Sequence, residues 1–180
     1  MTPKAIGICG GSCSGKTTLA AHIFETLGPD QCVILPQDDY FFGYGDAPEG
    51  KGGPNFDHPD AVDFDKLTSQ LAMLRQGQAI DRPLYDFPTH MPKAETFRTE
   101  PRPIILVDGI LILRHAPLRE QFDLSVFVEC AEKVRLDRRA ERDVKERDAL
   151  STRFTGCSPN RWRPCMTNMS NPQKPTPTSW

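Results

Sequence analysis

Short apolar segments alternate with amphipathic segments along most of this 180-residue chain. Four apolar runs have the length of buried strands, and they lie at residues 5–9, 32–35, 104–107 and 124–128. Apolar residues also recur at helical spacing from Leu19 to Leu27, before Gly28 and Pro29 end that helix, and again at Leu67, Leu71 and Leu74. This pattern is typical of an open α/β protein.

Two stretches follow neither period. Residues 43–59 are rich in Gly, Pro and Asp, and a loop of this length is usually functional or mobile. Residues 82–90 contain Pro83 and Pro88, so we expect an edge segment or a hairpin there and not a central strand. Within that segment Tyr85 and Phe87 alternate and would face the same side, where they could sandwich a planar base or form a small satellite core.

The first strand leads into a glycine-rich loop that reads GGSCSGKTT and fits G-x-x-x-x-G-K-[ST]. A strand, such a loop and a helix together direct backbone N–H groups and a helix N-terminus at a phosphate. Lys16 would reach the β- and γ-phosphates of a nucleotide, and the Thr17 hydroxyl would bind Mg²⁺. The predicted nucleotide-binding residues are Gly10, Gly11, Ser12, Cys13, Ser14, Gly15, Lys16, Thr17 and Thr18.

Carboxylates follow two of the predicted strands, at the end where open α/β sheets bind ligands. Asp38 is either a turn cap or the base that takes a proton from an acceptor hydroxyl, and its spacing leaves both interpretations open. Asp108 ends the clearest central strand, which is where an acid helps to hold Mg²⁺ beside a phosphate loop. Asp-Gly is also a common turn, but the upstream loop favours the metal role.

The last helical segment, residues 131–147, is dense in basic and acidic side chains. Such a segment is usually a solvated face with ion pairs along the helix. In phosphoryl transfer it could also be a lid that brings guanidinium groups to the transferred phosphate. The charge pattern by itself favours the solvated face, just as a lone loop histidine such as His90 is more often a surface residue than a site residue.

Composition narrows the classes of function. A net charge of −2 gives no electrostatic footprint for nucleic acid or for an anionic membrane. No apolar run reaches the roughly 18 residues of a membrane-spanning helix, and the first strand follows Met1 too closely for a signal peptide. Six cysteines without paired C-x-x-C spacing predict reduced thiols in a cytoplasmic protein.

Together the motifs closely resemble the uridine kinase (uridine–cytidine kinase) family. The resemblance covers residues 4–147 and rests on GGSCSGKTT, QDDYF, NFDHPDAVDF, YDFPTH, VDGIL and RRAERDVKER in the family's order. It implies the P-loop NTPase/kinase fold, a doubly wound parallel sheet with flanking helices. It also implies phosphorylation of uridine and cytidine at the 5′-hydroxyl by ATP or GTP in pyrimidine salvage, with Mg²⁺ as cofactor and a homo-oligomeric assembly.

The resemblance gives roles to the matching positions. Asp38 would be the catalytic base and Asp57 would hold the ribose hydroxyls, in a reaction that needs positioning and charge neutralisation more than covalent chemistry. The resemblance therefore favours a catalytic base over a turn cap for Asp38. It also favours a site residue over a surface residue for His90, and a lid over a solvated face for the last helix. The implied catalytic residues are Asp38, Lys16, Arg139 and Arg142; the metal residues are Thr17, Asp38 and Asp108; the substrate residues are Phe56, Asp57, Tyr85, Phe87, His90, Arg139 and Arg147.

Residues 148–180 depart from the family. They hold four basic residues, one acidic residue, five prolines and both tryptophans, whereas 18 basic and 23 acidic residues precede them. We expect a kinase domain at residues 1–147 without its C-terminal helix and strand, followed by a disordered, non-family tail at 148–180.

A frameshift near codon 148 is our hypothesis for this tail. Synonymous codons from Pro164 to Trp180 can be chosen so that the offset frame reads MHDKYVEPTKAYADLV, which resembles the family's C-terminal segment. Wobble freedom allows at most four residues at each of the sixteen steps, so chance does not account for the match. The alternatives to an active uridine kinase are a P-loop kinase for another small metabolite and a nucleotide-binding but inactive fragment.

Overall fold

A computed structural model of the chain describes residues 2–50 and 53–146, with side chains up to residue 141. Two single turns of 3₁₀-helix, Gln37–Tyr40 and Pro59–Ala61, connect larger elements. In chain order the strands and helices are β1 Lys4–Gly10, α1 Lys16–Leu27, β2 Cys32–Pro36, β3 Glu49–Gly50, β4 Gly53–Pro54, α2 Phe64–Arg75, β5 Ile80–Asp86, β6 Met91–Thr99, β7 Ile104–Gly109, α3 Ala116–Arg119, β8 Leu124–Val128 and α4 Glu132–Glu146.

A parallel sheet of four strands forms the centre, in the order β2-β7-β1-β8. These are the four strands that the apolar runs predict, with ends that agree to within two residues. β7 lies between β1 and β2 and is buried from Ile105 to Gly109, as its unbroken apolar sequence requires for an inner parallel strand. The predicted parallel sheet is confirmed.

Helices cover both faces of this sheet, because alternate side chains of each strand point to opposite faces. On one face, Ala5 and Val107 belong to a core cluster with Leu67 of α2. On the other, Ile8 and Leu106 belong to a second cluster with Ala20 of α1. The arrangement is the doubly wound one that the family resemblance implies.

Two small antiparallel pairs lie outside the main sheet. β5 and β6 form a hairpin with a bulge between Pro83 and Tyr85, as the prolines predict for this segment. β3 and β4 form a two-residue ladder inside residues 43–59, which the sequence predicts only as a loop. The hairpin packs with β5 against the Gln37–Tyr40 turn, which directly follows the C-terminal end of β2.

Asp123 ties three elements together ahead of β8. Its carboxylate accepts a hydrogen bond from the backbone N–H of Ala5 at 2.9 Å and lies 2.9 Å from the Lys4 ammonium and 3.2 Å from the Arg75 guanidinium. These contacts, above all the Ala5 bond, hold the pKa of Asp123 far below its usual value. The charged form of Asp123 thus stabilises the packing of β1, β8 and α2.

Within the described ranges no helix has the length and apolarity to cross a membrane. The four cysteines that these ranges contain, Cys9, Cys13, Cys32 and Cys130, are free thiols, as predicted. Burial raises the pKa of the Cys9 thiol to about 11. Cys9 is therefore a neutral part of the core beneath the glycine-rich loop.

Candidate active site

The glycine-rich loop connects β1 directly to α1. Its turn is closed by a hydrogen bond from the Ser14 N–H to the Gly11 carbonyl at 3.0 Å. Gly15 has a φ of 100°, in the left-handed region that glycine adopts at little cost, and α1 begins at the next residue. All nine predicted nucleotide-binding residues therefore lie between the end of the strand and the first turn of the helix, where N–H groups are left for an anion.

Four predicted site residues meet at the C-terminal ends of β1, β2 and β7. Thr17 Oγ1 donates a hydrogen bond to Asp108 Oδ2 at 2.6 Å. Burial raises the pKa of Asp108; the Lys16 ammonium and the Thr17 hydroxyl lower it, and the Asp38 carboxylate raises it. β1 and β7 are paired neighbours, so residues far apart in sequence converge here.

These residues fit a Mg²⁺ ion in their chemistry. Asp108 Oδ1 is buried and has no hydrogen-bond partner within residues 2–50 and 53–146. No group of three or more His, Cys, Asp or Glu side chains in those ranges could hold a metal ion by itself. Mg²⁺ usually needs only one or two carboxylates, because water and substrate phosphates supply its other ligands. Thr17, Asp38 and Asp108 are such a set.

Asp38 lies in a turn whose other side chains are all anchored. Gln37 Oε1 accepts from the Leu111 N–H at 2.8 Å, and the Tyr40 hydroxyl donates to Gln70 Oε1 at 2.6 Å. Asp39 pairs with Arg82, whose Nη1 lies 2.9 Å from Asp39 Oδ2. The Asp38 carboxylate accepts no hydrogen bond in the described part of the chain, so the alternative of a turn cap finds no support. The turn holds Asp38 in place and leaves its carboxylate without a hydrogen bond to the described residues.

The ion pair of Asp39 and Arg82 joins this turn to the hairpin. Both side chains are only 16% exposed. Burial raises the pKa of Asp39, while Arg82 and a backbone hydrogen bond from Tyr85 lower it and neighbouring Asp38 raises it. The Arg82 guanidinium also lies over the Phe97 ring of β6, 5.3 Å from its centre. Through Asp39, the turn that carries Asp38 is fixed to the strand that carries Tyr85.

An aromatic cluster lies where the hairpin meets residues 41–56. Phe41 contacts Phe56 and Tyr85 at centroid distances of 5.7 and 5.6 Å. Phe56 stacks on His90 at 4.9 Å with an angle of 16° between the rings. The structure therefore brings the predicted residues Phe56, Tyr85, Phe87 and His90 together around Phe41.

The rings of Tyr85 and Phe87 fit neither of the two arrangements that their alternation allowed, a base sandwich or a satellite core. Their rings meet edge to face, with centroids 5.3 Å apart at an angle of 76°, so no planar base can lie between them. Nor do they form a separate satellite core: Tyr85 belongs to the main core cluster and Phe87 packs against it. The two rings instead form one continuous wall with Phe41.

Arg139 brings α4 to the predicted ribose-binding residue. Its Nη1 lies 3.3 Å from Asp57 Oδ2, and both side chains are largely buried. Arg139 lies four residues after the buried Arg135, on the same side of the helix, whereas Arg138 and Glu141 are exposed. One side of α4 therefore faces Asp57, and the side with Arg138 and Glu141 is the solvated face that the charge pattern favours. The side chain of Arg142, and Arg147 altogether, lie outside the described residues.

Three residues at the site were missed by sequence reasoning: Phe41, Arg82 and Arg135. Phe41 follows the Asp38 turn directly, so the phenylalanine at the end of QDDYF was the available signal. No signal in the sequence pointed to Arg82 and Arg135, because the residues that they contact, Asp39 and Gly11, lie 43 and 124 positions away.

Comparisons with known proteins point to one family of sequence relatives. The sequence model described as "Phosphoribulokinase / Uridine kinase family" matches residues 5–174. This match runs past the boundary predicted at residue 147. A uridine kinase of Chloroflexus aurantiacus is 42% identical over 146 residues, which are 81% of this chain and 70% of that protein. A uridine kinase of Brevibacillus brevis is 38% identical over 157 residues, 84% of this chain and 73% of that one.

Solved structures share the fold at low sequence identity. A structure described as a possible uridine kinase from Bacillus stearothermophilus superposes with a TM-score of 0.62 at 20% identity, over 84% of this chain and 86% of that one. A D-glycerate 3-kinase from Cryptococcus neoformans gives a TM-score of 0.61 at 14% identity, over 94% and 77%. At these identities the likeness concerns the fold alone.

Proposed function

The chain belongs to the Phosphoribulokinase / Uridine kinase family, and we propose that it transfers the γ-phosphoryl group of ATP to the 5′-hydroxyl of uridine and cytidine. The products would be ADP and UMP or CMP, as in pyrimidine salvage in the cytoplasm. GTP is the alternative donor, no nucleic acid or membrane takes part, and a homo-oligomer is the assembly that we expect.

One observation carries this proposal: the turn of Asp38 lies between the phosphate loop and the aromatic cluster. Asp38 acts electrostatically on Asp108, as Lys16 of the loop also does. Its neighbour Asp39 accepts the backbone hydrogen bond from Tyr85. A carboxylate between a phosphate-binding loop and an aromatic wall is where an acceptor hydroxyl has to be deprotonated.

In this arrangement the residues of the chain have distinct tasks. Asp38 takes the proton of the 5′-hydroxyl while that oxygen bonds to the γ-phosphorus and the bond to the ADP oxygen breaks. Lys16 and the loop N–H groups hold the phosphates, and Arg139 adds positive charge from α4. Mg²⁺, held by Thr17, Asp38 and Asp108, would neutralise charge on the β- and γ-phosphates.

Asp57 and the aromatic wall would select the acceptor. A carboxylate can accept hydrogen bonds from both ribose hydroxyls, and Asp57 is fixed by Arg139 at 3.3 Å and by its own N–H to Asn55 Oδ1 at 3.1 Å. Phe56 and His90 stack beside it and offer an aromatic face to a pyrimidine. A nucleoside without the 2′-hydroxyl would lose one of these bonds.

The test is an acceptor panel on the 180-residue chain. Uridine, cytidine, 2′-deoxyuridine, adenosine and glycerate are offered with ATP and Mg²⁺, and products are identified by mass and by ³¹P NMR. We expect 5′-monophosphates of uridine and cytidine, and a kcat/KM for 2′-deoxyuridine at least about tenfold lower. Asp57→Ala should abolish this preference for ribose, whereas Asp60→Ala, an exposed neighbour, should keep it.

Other outcomes have definite meanings. Faster phosphorylation of glycerate or adenosine would replace this proposal by a P-loop kinase for another metabolite. Nucleotide binding with no phosphorylated product from any acceptor would indicate an inactive fragment.

A further inference from the structure

Arg135 is a buried cation in the first turn of α4. The residue is only 8% exposed. Its Nε donates to the Cys130 carbonyl at 3.1 Å, which fixes the base of the guanidinium against the turn between β8 and α4. No carboxylate forms an ion pair with it in the part of the chain that the structure describes. A guanidinium buried without an anion is costly unless a ligand supplies the anion.

The free end of this guanidinium lies on the phosphate loop. A Cβ placed on Gly11 would overlap Arg135 Nη1 and would lie 2.8 Å from its Cζ. Gly11 therefore leaves the space that Arg135 fills. The contact follows from the sheet: β8 pairs with β1 up to Val128 beside Gly10, so α4 begins next to the loop.

The same loop contains a buried hydroxyl without a partner among the described residues. Ser14 is 6% exposed, and its Oγ has no hydrogen-bond partner among the described residues. Ser14 and Gly11 are joined through the backbone hydrogen bond that closes the loop. The Ser14 hydroxyl and the Nη groups of Arg135 thus lie at one turn with donors that the described residues do not use and that a bound anion would satisfy.

We propose that Arg135 binds the polyphosphate of the nucleotide, with its Nη groups donating to phosphate oxygens over Gly11 while Nε keeps its bond to Cys130. A guanidinium fork matches two phosphate oxygens, and such charge-assisted hydrogen bonds are stronger than those of neutral donors. Arg135 would add a full charge next to the partial charges of the loop N–H groups. The inference needs the proposed function only to the extent that the loop binds a nucleoside triphosphate.

This assignment links the two halves of the site. Arg135 and Arg139 are one helical turn apart on α4, and Arg139 holds Asp57. A nucleotide held by Arg135 would fix the start of the helix whose next turn reaches the acceptor-binding residue.

The experiment measures binding to the full chain by calorimetry, with ATP, ADP and inorganic tripolyphosphate as probes at constant Mg²⁺ and salt. Arg135→Gln should weaken all three by about 10- to 100-fold, the usual range for losing hydrogen bonds to a charged group. Arg135→Lys keeps the charge but not the fork and should lie in between. Arg138→Gln is the matched control, because Arg138 is exposed on the same helix and the substitution makes the same change of charge. The affinities of this variant for the three probes should stay within about twofold of the wild-type values.

Several results would overturn the inference. Unchanged tripolyphosphate binding in Arg135→Gln, together with weaker ATP binding, would mean that Arg135 contacts the adenosine part of ATP and not its phosphates. A lower Tm with all three affinities intact, in both Arg135 variants, would mean a structural role, and a wild-type chain that does not bind ATP would also contradict the proposal. No acceptor is used, so a failure to phosphorylate uridine leaves this inference untouched.

Discussion

Thr17 donates a hydrogen bond to Asp108 across 2.6 Å, although the two residues lie 91 positions apart in the sequence. The bond joins the first turn of α1 to the end of β7 and uses only one oxygen of the carboxylate. The second oxygen, Oδ1, is buried and has no partner in the described residues. The pair therefore offers a hydroxyl and a carboxylate oxygen, both hard ligands, at the edge of the phosphate loop.

We predict that Asp108→Asn raises the Mg²⁺ concentration needed for half-maximal kinase activity by about 10- to 100-fold. The substitution keeps the shape of the side chain but removes the charge that a hard cation requires. Thr17→Ser retains the hydroxyl and is the conservative control, with a change of no more than about threefold. An unaltered Mg²⁺ dependence in Asp108→Asn would exclude this residue from the metal site.

Asp38→Asn should lower kcat by about 10²- to 10⁴-fold and weaken the affinity for ATP with Mg²⁺ much less, because the change removes the general base but only one of the three groups that would hold the metal. Steady-state rates and calorimetric titration with ATP measure the two effects separately. Asp30→Asn, at an exposed carboxylate remote from the loop, should behave like the wild type. If Asp38→Asn retained more than a tenth of the wild-type kcat, another base would have to be sought.

Breaking the ion pair between Asp39 and Arg82 should destabilise the fold. Arg82→Met leaves Asp39 largely buried without its counter-ion, and we expect the free energy of unfolding to fall by about 2–4 kcal/mol. The double variant Asp39→Asn/Arg82→Met should regain part of this loss, since no unpaired charge remains. Urea unfolding of the wild type, the single variants Arg82→Met and Asp39→Asn, and the double variant measures the coupling, and strictly additive losses would argue against a direct interaction.

The stabilisation from Asp123 should depend on pH in a defined direction. The pKa of Asp123 in the folded protein lies below its unfolded value of about 3.9, so the charged form stabilises the fold fully at pH values above about 4. Asp123→Asn should lower the free energy of unfolding by about 1–3 kcal/mol at pH 7. The gap between variant and wild type should shrink as the pH falls below about 4. A gap that stayed constant down to pH 2 would contradict this account.

The coding DNA tests the frameshift hypothesis for residues 148–180, which lie outside the described residues. We predict that a single-base insertion or deletion near codon 148 restores a reading frame that continues the family's sequence. A frame-restored chain should then melt at a higher temperature than the present one and show a higher kcat. The hypothesis fails if codons 148–180 yield no family-like ending in either alternative frame.

The central sheet could be predicted from the sequence because its signals are local. Each strand is a short apolar run, and the G-x-x-x-x-G-K-[ST] motif fixes the connection to the first helix. The acids at strand ends, Asp38 and Asp108, follow from the same rule, since parallel strands deliver their C-terminal ends to one edge of the sheet.

Side-chain partners across the fold could not be predicted. Arg82 and Arg135 look like ordinary charged residues in a hairpin and a polar helix, and only the tertiary structure brings them to Asp39 and Gly11. The orientation of the aromatic rings could not be predicted from the sequence pattern either. Alternation predicts that Tyr85 and Phe87 face the same side, but in the structure Tyr85 contacts Phe41 and the two rings meet edge to face.

The anchoring of the Asp38 turn makes the position of Asp38 depend on distant parts of the chain. Gln37, Asp39 and Tyr40 contact Leu111, Arg82 and Gln70, which come from three separate segments. The turn of the phosphate loop, by contrast, is closed by a hydrogen bond between Ser14 and Gly11, which are near neighbours in the sequence. A substitution that loosens α2 or the hairpin would therefore displace Asp38 while the turn of the loop stays closed. Such a variant would still bind ATP but would transfer its phosphoryl group poorly.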